Sequence, residues 1–556
     1  MSENILVAVA WPYANSRLHL GHVAGAYLPA DIFARYHRAK GNKVLMVSGS
    51  DQHGTPVTIR AEAEGKTPAE VAEYYHQTFL DDFAKLGISW DLFTTTRTAG
   101  HEKMAQEIFL SLLEKGHIYK QSVLQPWCDK CKRFLPDRYV EGTCPLCKSP
   151  NARGDQCEQC GKPMNPADLI GARCRTCGMP PVYRESEQFF LKESAFEKPL
   201  LEWVKDQTHW RTNVLNFTTR YLEEGLHDRA ITRDIDWGIP IPLPGYPGKR
   251  LYVWFEAVIG YLSASKEWAQ KSDDPGAWRG FWEGASRSYY FIGKDNIAFH
   301  TIVWPAILMG YGGLNLPYDV PANEFLTIES QKFSKSRNLA VWVADYFERY
   351  DADPLRYLLS ANMPETSDTD FSWREFVRRN NDELVATYGN LVQRVLTFTY
   401  SRFDGAVPVP RCIDEPSRAL LDKAQDAIDI CDKFLYRCHF RDAVRTAMNL
   451  AQEANRYLDE KAPWKAIKTD KEAAATSLYV AIGVISALKT LMYPFIPFSS
   501  QKLHGYLGLP GKVEDYGWSL VMPEPGTKLN QPQVLFTKLD DCIVDEEMQR
   551  MGLGGS

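Results

Sequence analysis

The stretch Ile5 to His22, ILVAVAWPYANSRLHLGH, decides how the chain is read. Its first six residues, Ile5 to Ala10, are a continuous apolar run rich in β-branched side chains, which predicts a buried parallel strand. Trp11, Pro12 and Tyr13 end it, because proline cannot continue a central ladder. After a turn through Asn15 and Ser16, His19, Leu20, Gly21 and His22 open a helix expected to run to Gly41. Gly21 has no side chain to keep a base or a phosphate from the backbone. His19 and His22 stand at a helix N-terminus, where N–H groups and the dipole favour an anion. Such a cradle suits a phosphate that gains charge during reaction. Alone, the string fits a surface turn with two incidental histidines better.

A second string, Lys332-Phe333-Ser334-Lys335-Ser336, changes the reading. Two lysines three apart make a cationic loop suited to a polyphosphate, and they follow the strand-like stretch Glu324 to Ile328. Together the two strings resemble the class I aminoacyl-tRNA synthetases, whose signatures are HIGH and KMSKS. The strings AWPYANSRLHLGH, GSDQHGTP, YVWFEAVIGY, FIGKDN and KFSKSRN narrow the resemblance to the methionyl family, over nearly the whole chain. The forms HLGH, KFSKS and GKDN are similar to its archaeal and eukaryotic branch.

A chain of 556 residues exceeds what one core usually organises, so two to four domains are expected. The formal charge of −6 excludes a protein that coats nucleic acid non-specifically. Any tRNA binding must rest on local basic and aromatic patches. No apolar segment is expected to reach bilayer length and no leader precedes the first strand, so a cytoplasmic protein with no membrane or DNA partner is expected.

The order of textures divides the chain. Residues 1–118 alternate strand-like and helical runs, the first half of a Rossmann-type α/β catalytic domain with a doubly wound parallel sheet. Within it Val44 to Ser48 reads as a second strand, and a helix from His101 to Lys115 closes the half. Residues 119–230 are a connective insertion with zinc knuckles. The sheet resumes over 231–325, with strands expected at Leu251 to Trp254 and Tyr289 to Ile292 and a helix over Ile297 to Met309. The KFSKS loop and a crossover region, which the resemblance implies contacts the tRNA stem, follow over 326–375. Residues 376–530 are helical, an antiparallel bundle marked by Leu384, Tyr388, Leu391, Val395 and Phe398 on one face, which the resemblance implies is an anticodon-binding domain. Further helices are expected over 419–435, 443–458 and 473–493, and the tail 531–556 carries no clear pattern.

Of twelve cysteines, eight fall into Cys128-x-x-Cys131, Cys144-x-x-Cys147, Cys157-x-x-Cys160 and Cys174-x-x-Cys177. Four such pairs predict two tetrahedral thiolate Zn²⁺ sites, structural because four sulfurs leave no position for water. Spacing does not fix which pairs share an ion. The resemblance favours a nested arrangement, 144/147/157/160 at one and 128/131/174/177 at the other. Cys412, Cys431, Cys438 and Cys542 read as packing residues.

The resemblance implies ATP-dependent activation of L-methionine to methionyl-adenylate, then transfer to the 3′ end of tRNA(Met). Neither step needs a protein nucleophile, so catalysis would be positioning and charge stabilisation. In that reading His19 and His22 donate to the α-phosphate, and Lys332 and Lys335 hold the β- and γ-phosphates with Mg²⁺. Gly21, Gly293 and Asp295 complete the ATP site, and Asp51 meets the methionine ammonium. The side-chain pocket would comprise Ala10, Trp11, Tyr13, Trp254, Ala257, Tyr261 and His300. Val258 and Asn296 depart from the common bacterial pattern of proline and isoleucine. Asn390 and Arg394, four apart on one helix face, and Trp464 after Pro463 would bind the anticodon. The competing readings are a class I synthetase for isoleucine, valine, leucine or cysteine, and a non-catalytic RNA-binding scaffold. The short insertion weighs against the first and the intact signatures against the second.

Overall fold

The computed structural model describes residues 2–154, 157, 159–160, 164, 166–331 and 340–553. Lys332 and Lys335 lie outside them. The apolar run at the N-terminus forms strand Asn4–Val9, with Ile5 to Val9 fully buried. It is the centre of a five-stranded parallel sheet in the order Ala322–Asn323, Arg287–Gly293, Asn4–Val9, Lys43–Ser50, Leu92–Thr95. The chain leaves Asn4–Val9 toward Lys43–Ser50 and returns on the other side through Arg287–Gly293. The order reverses between these two central strands, and an open sheet binds ligands at their carboxyl ends there.

His19 caps the helix that follows, and the segment runs through Leu20–His22, Val23–Tyr27 and Leu28–Ala39 before Gly41 turns at φ 81°. The middle segment is a π turn, not the unbroken α-helix expected. Its cause is Pro29, which has no N–H to give, so the ladder widens and Leu28 N–H reaches back to the Val23 carbonyl.

The insertion is built on a long antiparallel pair, Ile118–Cys128 with Val182–Leu191, and carries the cysteine hairpins at its far end. One expectation fails on return to the catalytic unit. Leu251 to Trp254 is not a strand of the main sheet: Lys249–Leu251 pairs antiparallel with Thr232–Asp234, and Trp254 lies on helix Val253–Gln270. That helix is buried over most of its length, so its apolar start mimics a strand. The helix expected over Ile297 to Met309 comprises a π turn, Phe299–Val303, and helix Trp304–Tyr311, capped by Gly312.

The C-terminal half is a bundle of Asn390–Arg402, Glu415–Tyr436, Phe440–Lys461, Lys471–Met492 and Pro497–Tyr506. Leu384, Tyr388, Leu391 and Val395 are all buried, as one apolar face requires. Lys471–Met492 is long and apolar enough to cross a bilayer, contrary to the expectation that no segment would be. In its most apolar window 94% is buried inside the protein, so it is the core helix of the bundle. The tail, unreadable in sequence, folds back: Thr537 and Leu539 carbonyls accept from Asn380 and Asn381 side chains, and helix Cys542–Arg550 brings Glu547 to Arg349 and Tyr350. Of the four remaining cysteines, Cys431 and Cys438 are buried, but Cys412 and Cys542 are exposed and pack in no core.

Candidate active site

At the N-terminus of the first helix, His19 Nδ1 accepts from Gly21 N–H (3.1 Å) and His22 Nδ1 accepts from His19 N–H (3.2 Å). The two rings stack with centroids 3.8 Å apart. A backbone N–H can only donate, so each Nδ1 offers a lone pair and each neutral ring carries its proton on Nε2. The capping arrangement thus fixes both histidines as Nε2 donors, the form a phosphate oxygen requires. Gly293 ends the adjacent strand, Arg287–Gly293, and Asp295 follows it on an exposed turn. A Cβ on Gly293 would lie 2.9 Å from Asp295 Oδ1. The glycine therefore lets that carboxylate fold back beside the strand end.

Asp51 ends the second strand, its backbone N–H bonded to the Pro12 carbonyl at 2.8 Å. It is 3% exposed. Burial pushes its carboxyl well above the ordinary range, Glu256 pushes the same way, and the His53 N–H (3.3 Å) opposes them. Glu256 fares differently. Burial raises its carboxyl too, but His53 Nδ1 (2.9 Å) and His101 Nε2 (3.3 Å) outweigh it and hold it below the ordinary value. The arrangement places one compensated and one uncompensated carboxylate side by side. The second suits a ligand ammonium.

The aromatic cluster assembles around Trp11. Its indole stacks on His101 (6.2 Å) and meets Tyr261 edge-on (6.5 Å). Gly260 makes room for it, since a Cβ there would lie 2.8 Å from the ring, and Gly49 does so as well. Tyr13 meets Trp254 edge-on at 6.1 Å, and Trp254 stacks on Phe299 at 4.1 Å. Ala257 precedes Tyr261 by one helical turn, on the same face, and Ala10 donates to the Phe291 carbonyl at the strand end. His300 Nδ1 bonds the Asn296 carbonyl (2.9 Å), so Nδ1 carries the proton and Nε2 accepts from Tyr261 O–H (2.7 Å). Burial lowers the His300 imidazole to about 4, which keeps it neutral and keeps this pairing.

In the insertion, the sulfurs of Cys128, Cys131, Cys174 and Cys177 lie within 4.8 Å of one another, as do those of Cys144, Cys147, Cys157 and Cys160. The nested pairing is the one formed. The Sγ–Sγ separations of 3.4, 3.8 and 3.6 Å compare with the edge of about 3.8 Å that a tetrahedron with metal–sulfur bonds of about 2.3 Å requires. The donor sets fit a thiolate metal.

In the bundle, the Arg394 guanidinium lies 4.4 Å over the Trp464 ring and bonds Asp459 at 3.2 Å. Trp464 is half-buried at the break made by Ala462, in the left-handed region at φ 41°. Asn390 is exposed one turn before Arg394. The structure brings Arg394 and Trp464 together.

Sequence reasoning passed over Glu256, His53, His101, Gly49 and Gly260. A glutamate inside the apolar string YVWFEAVIGY was the available signal, because a buried carboxylate demands partners.

The family model for class I tRNA synthetases (M) matches residues 5–396, and that for the anticodon binding domain of methionyl tRNA ligase matches 407–554. The methionine–tRNA ligase of Dehalococcoides mccartyi strain CBDB1 is 67% identical over 553 residues, covering 100% of both chains. That of Thermomicrobium roseum is 51% identical over 581 residues, covering 99% of each. Among solved structures, Mycobacterium tuberculosis methionyl-tRNA synthetase bound by methionyl-adenylate aligns with a TM-score of 0.80 at 25% identity, covering 97% of this chain and 100% of that one.

Proposed function

The chain belongs to the methionyl family of class I aminoacyl-tRNA synthetases, and from that we propose how its residues share the reaction. The reaction joins L-methionine to ATP as methionyl-adenylate, releasing pyrophosphate, and passes the methionyl group to the 3′ end of tRNA(Met). His19 and His22 donate from Nε2 to the α-phosphate as it gains charge, with Gly21 leaving the backbone open. Gly293 and Asp295 take the ribose. Lys332 and Lys335 hold the outer phosphates, which Mg²⁺ accompanies and partly neutralises. Asp51 holds the methionine ammonium and so aims the carboxylate at the α-phosphate. Ala10, Trp11, Tyr13, Trp254, Ala257, Tyr261 and His300 enclose the thioether, to which aromatic rings give soft contact.

The two thiolate clusters hold structural Zn²⁺, and the bundle takes the anticodon through Asn390, Arg394 and Trp464. HLGH, KFSKS and GKDN support grouping these motifs with the archaeal and eukaryotic branch. A role in protein synthesis supports a cytoplasmic location. The observation that carries the reading is the pairing of two features that follow the carboxyl ends of adjacent central strands, Asn4–Val9 and Lys43–Ser50. One is the pair of fixed Nε2 donors; the other is the uncompensated Asp51 beside an aromatic cluster. Pyrophosphate exchange measured with each amino acid tests it. Exchange with methionine alone supports the reading, whereas exchange with isoleucine, valine, leucine or cysteine instead overturns it.

A further inference from the structure

Between the bundle and the phosphate-binding helix runs a short chain of hydrogen bonds. It begins at Cys438, in the turn joining Glu415–Tyr436 to Phe440–Lys461, which the chain makes in the left-handed region at φ 56°. The Cys438 carbonyl accepts from Arg211 Nη2 at 2.8 Å. Arg211 Nη1 donates to Asn323 Oδ1 at 2.7 Å and also reaches the Ala322 and Glu365 carbonyls, each at 3.3 Å. Asn323, 1% exposed, then donates from Nδ2 to the Ala24 carbonyl at 2.8 Å. Ala24 is two residues beyond His22.

The last bond has a clear reason. In the π turn the Ala24 carbonyl would be served by residue 29, which is Pro29 and has no N–H, while Leu28 N–H is taken by Val23. A buried carbonyl left without a donor is costly, and Asn323 supplies the donor. The Asn323 backbone also pairs with Gly293 in the sheet, so this residue ties the end of the Gly293 strand to the HLGH helix through its side chain. At the other end Glu365 accepts from Arg441 N–H (2.9 Å), at the start of the bundle helix beginning at Phe440. The guanidinium fork suits the role, because it can hold two partners in fixed geometry.

We propose that Arg211 and Asn323 are positioning residues that hold the HLGH helix in register with the bundle, so that a tRNA seated on the bundle keeps its 3′ end aligned with the adenylate. The proposal rests on the bundle taking the anticodon. It is tested by charging full-length tRNA(Met) and a minihelix of its acceptor and T arms, with pyrophosphate exchange measured alongside. Arg211→Ala should lower kcat on full-length tRNA by roughly tenfold, the scale of one hydrogen bond from a charged donor, with the tRNA KM and the minihelix rate nearly unchanged. Arg211→Lys, which can reach Asn323 but not also Cys438, should fail to restore it. Asn323→Ala should lower kcat for exchange with the methionine KM unchanged, and on full-length tRNA the double variant should lose less than the product of the two single losses. Equal loss on both RNAs, additive effects, or rescue by lysine would overturn the proposal. A parent enzyme that charges both RNAs equally well would overturn the anticodon reading beneath it, and the proposal with it.

Discussion

Asp51 and Glu256 are buried carboxylates that repel each other, and only Glu256 is held by imidazoles, those of His53 and His101. Under the proposed function, Glu256 is the fixed structural part of this negative region and Asp51 the part left for the ligand ammonium.

Asp51→Asn should therefore stabilise the protein while disabling it. Removing the uncompensated charge should add about 1–3 kcal/mol to stability, read as a higher Tm. Methionine activation should fall by roughly two orders of magnitude, as expected on losing a buried charge-assisted pair. The pH dependence has a definite sign. Because the folded pKa of Asp51 is raised, the folded state binds the proton more tightly than the unfolded one. The parent's penalty is thus fully present above the folded pKa and is relieved as pH falls through it toward the ordinary carboxylate value. The variant should lack that relief, and a Tm that falls in the variant would count against the assignment.

Gly260→Ala should displace Trp11, since the new Cβ would lie 2.8 Å from the indole. Overpacking of this kind costs about 1–3 kcal/mol. Methionine KM should rise by roughly tenfold with ATP KM unchanged, because the clash falls on the amino-acid pocket. An unchanged methionine KM would show that Trp11 does not line it.

Elemental analysis should find two zinc ions per chain, and Cys157→Ser should release one. The remaining ion should be that of Cys128, Cys131, Cys174 and Cys177, which shares no ligand with the first cluster. Loss of both ions from Cys157→Ser would mean that the clusters are not independent.

These cases show what sequence carries and where it stops. The strand Asn4–Val9, the helix start at His19 to His22 and the CxxC pairs were legible because each depends on residues a few positions apart. The Glu256–His53 pair spans 203 positions, and Arg211–Cys438 spans 227. No local pattern announces such partners. Leu251 to Trp254 misled because a helix buried on nearly all sides has no polar face to betray its period. Lys471–Met492 was legible as a helix over 473–493, but not as one apolar enough to cross a bilayer, because its burial lies in partners distant in sequence. The tail helix was missed because its partners, Arg349 and Tyr350, lie nearly two hundred residues earlier.

Trp464→Ala should weaken charging while leaving pyrophosphate exchange close to the parent's. A lost base–aromatic stack costs about 1–3 kcal/mol, on the order of ten- to a hundredfold. Arg394 lies over the same ring, so Arg394→Ala and Trp464→Ala should be non-additive. Charging of tRNA with an intact CAU anticodon and with an altered one separates reading from packing. Equal loss on both would mean that Trp464 serves only the bundle's core.

The central claim is that the His19–His22 cap presents donors to a phosphate that gains charge. Stopped-flow measurement of methionyl-adenylate formation by His22→Ala at saturating methionine and ATP tests it most directly. The account predicts a rate roughly a hundred- to a thousandfold below the parent, the cost of removing one preorganised donor, with methionine affinity unchanged. A rate equal to the parent's would contradict it.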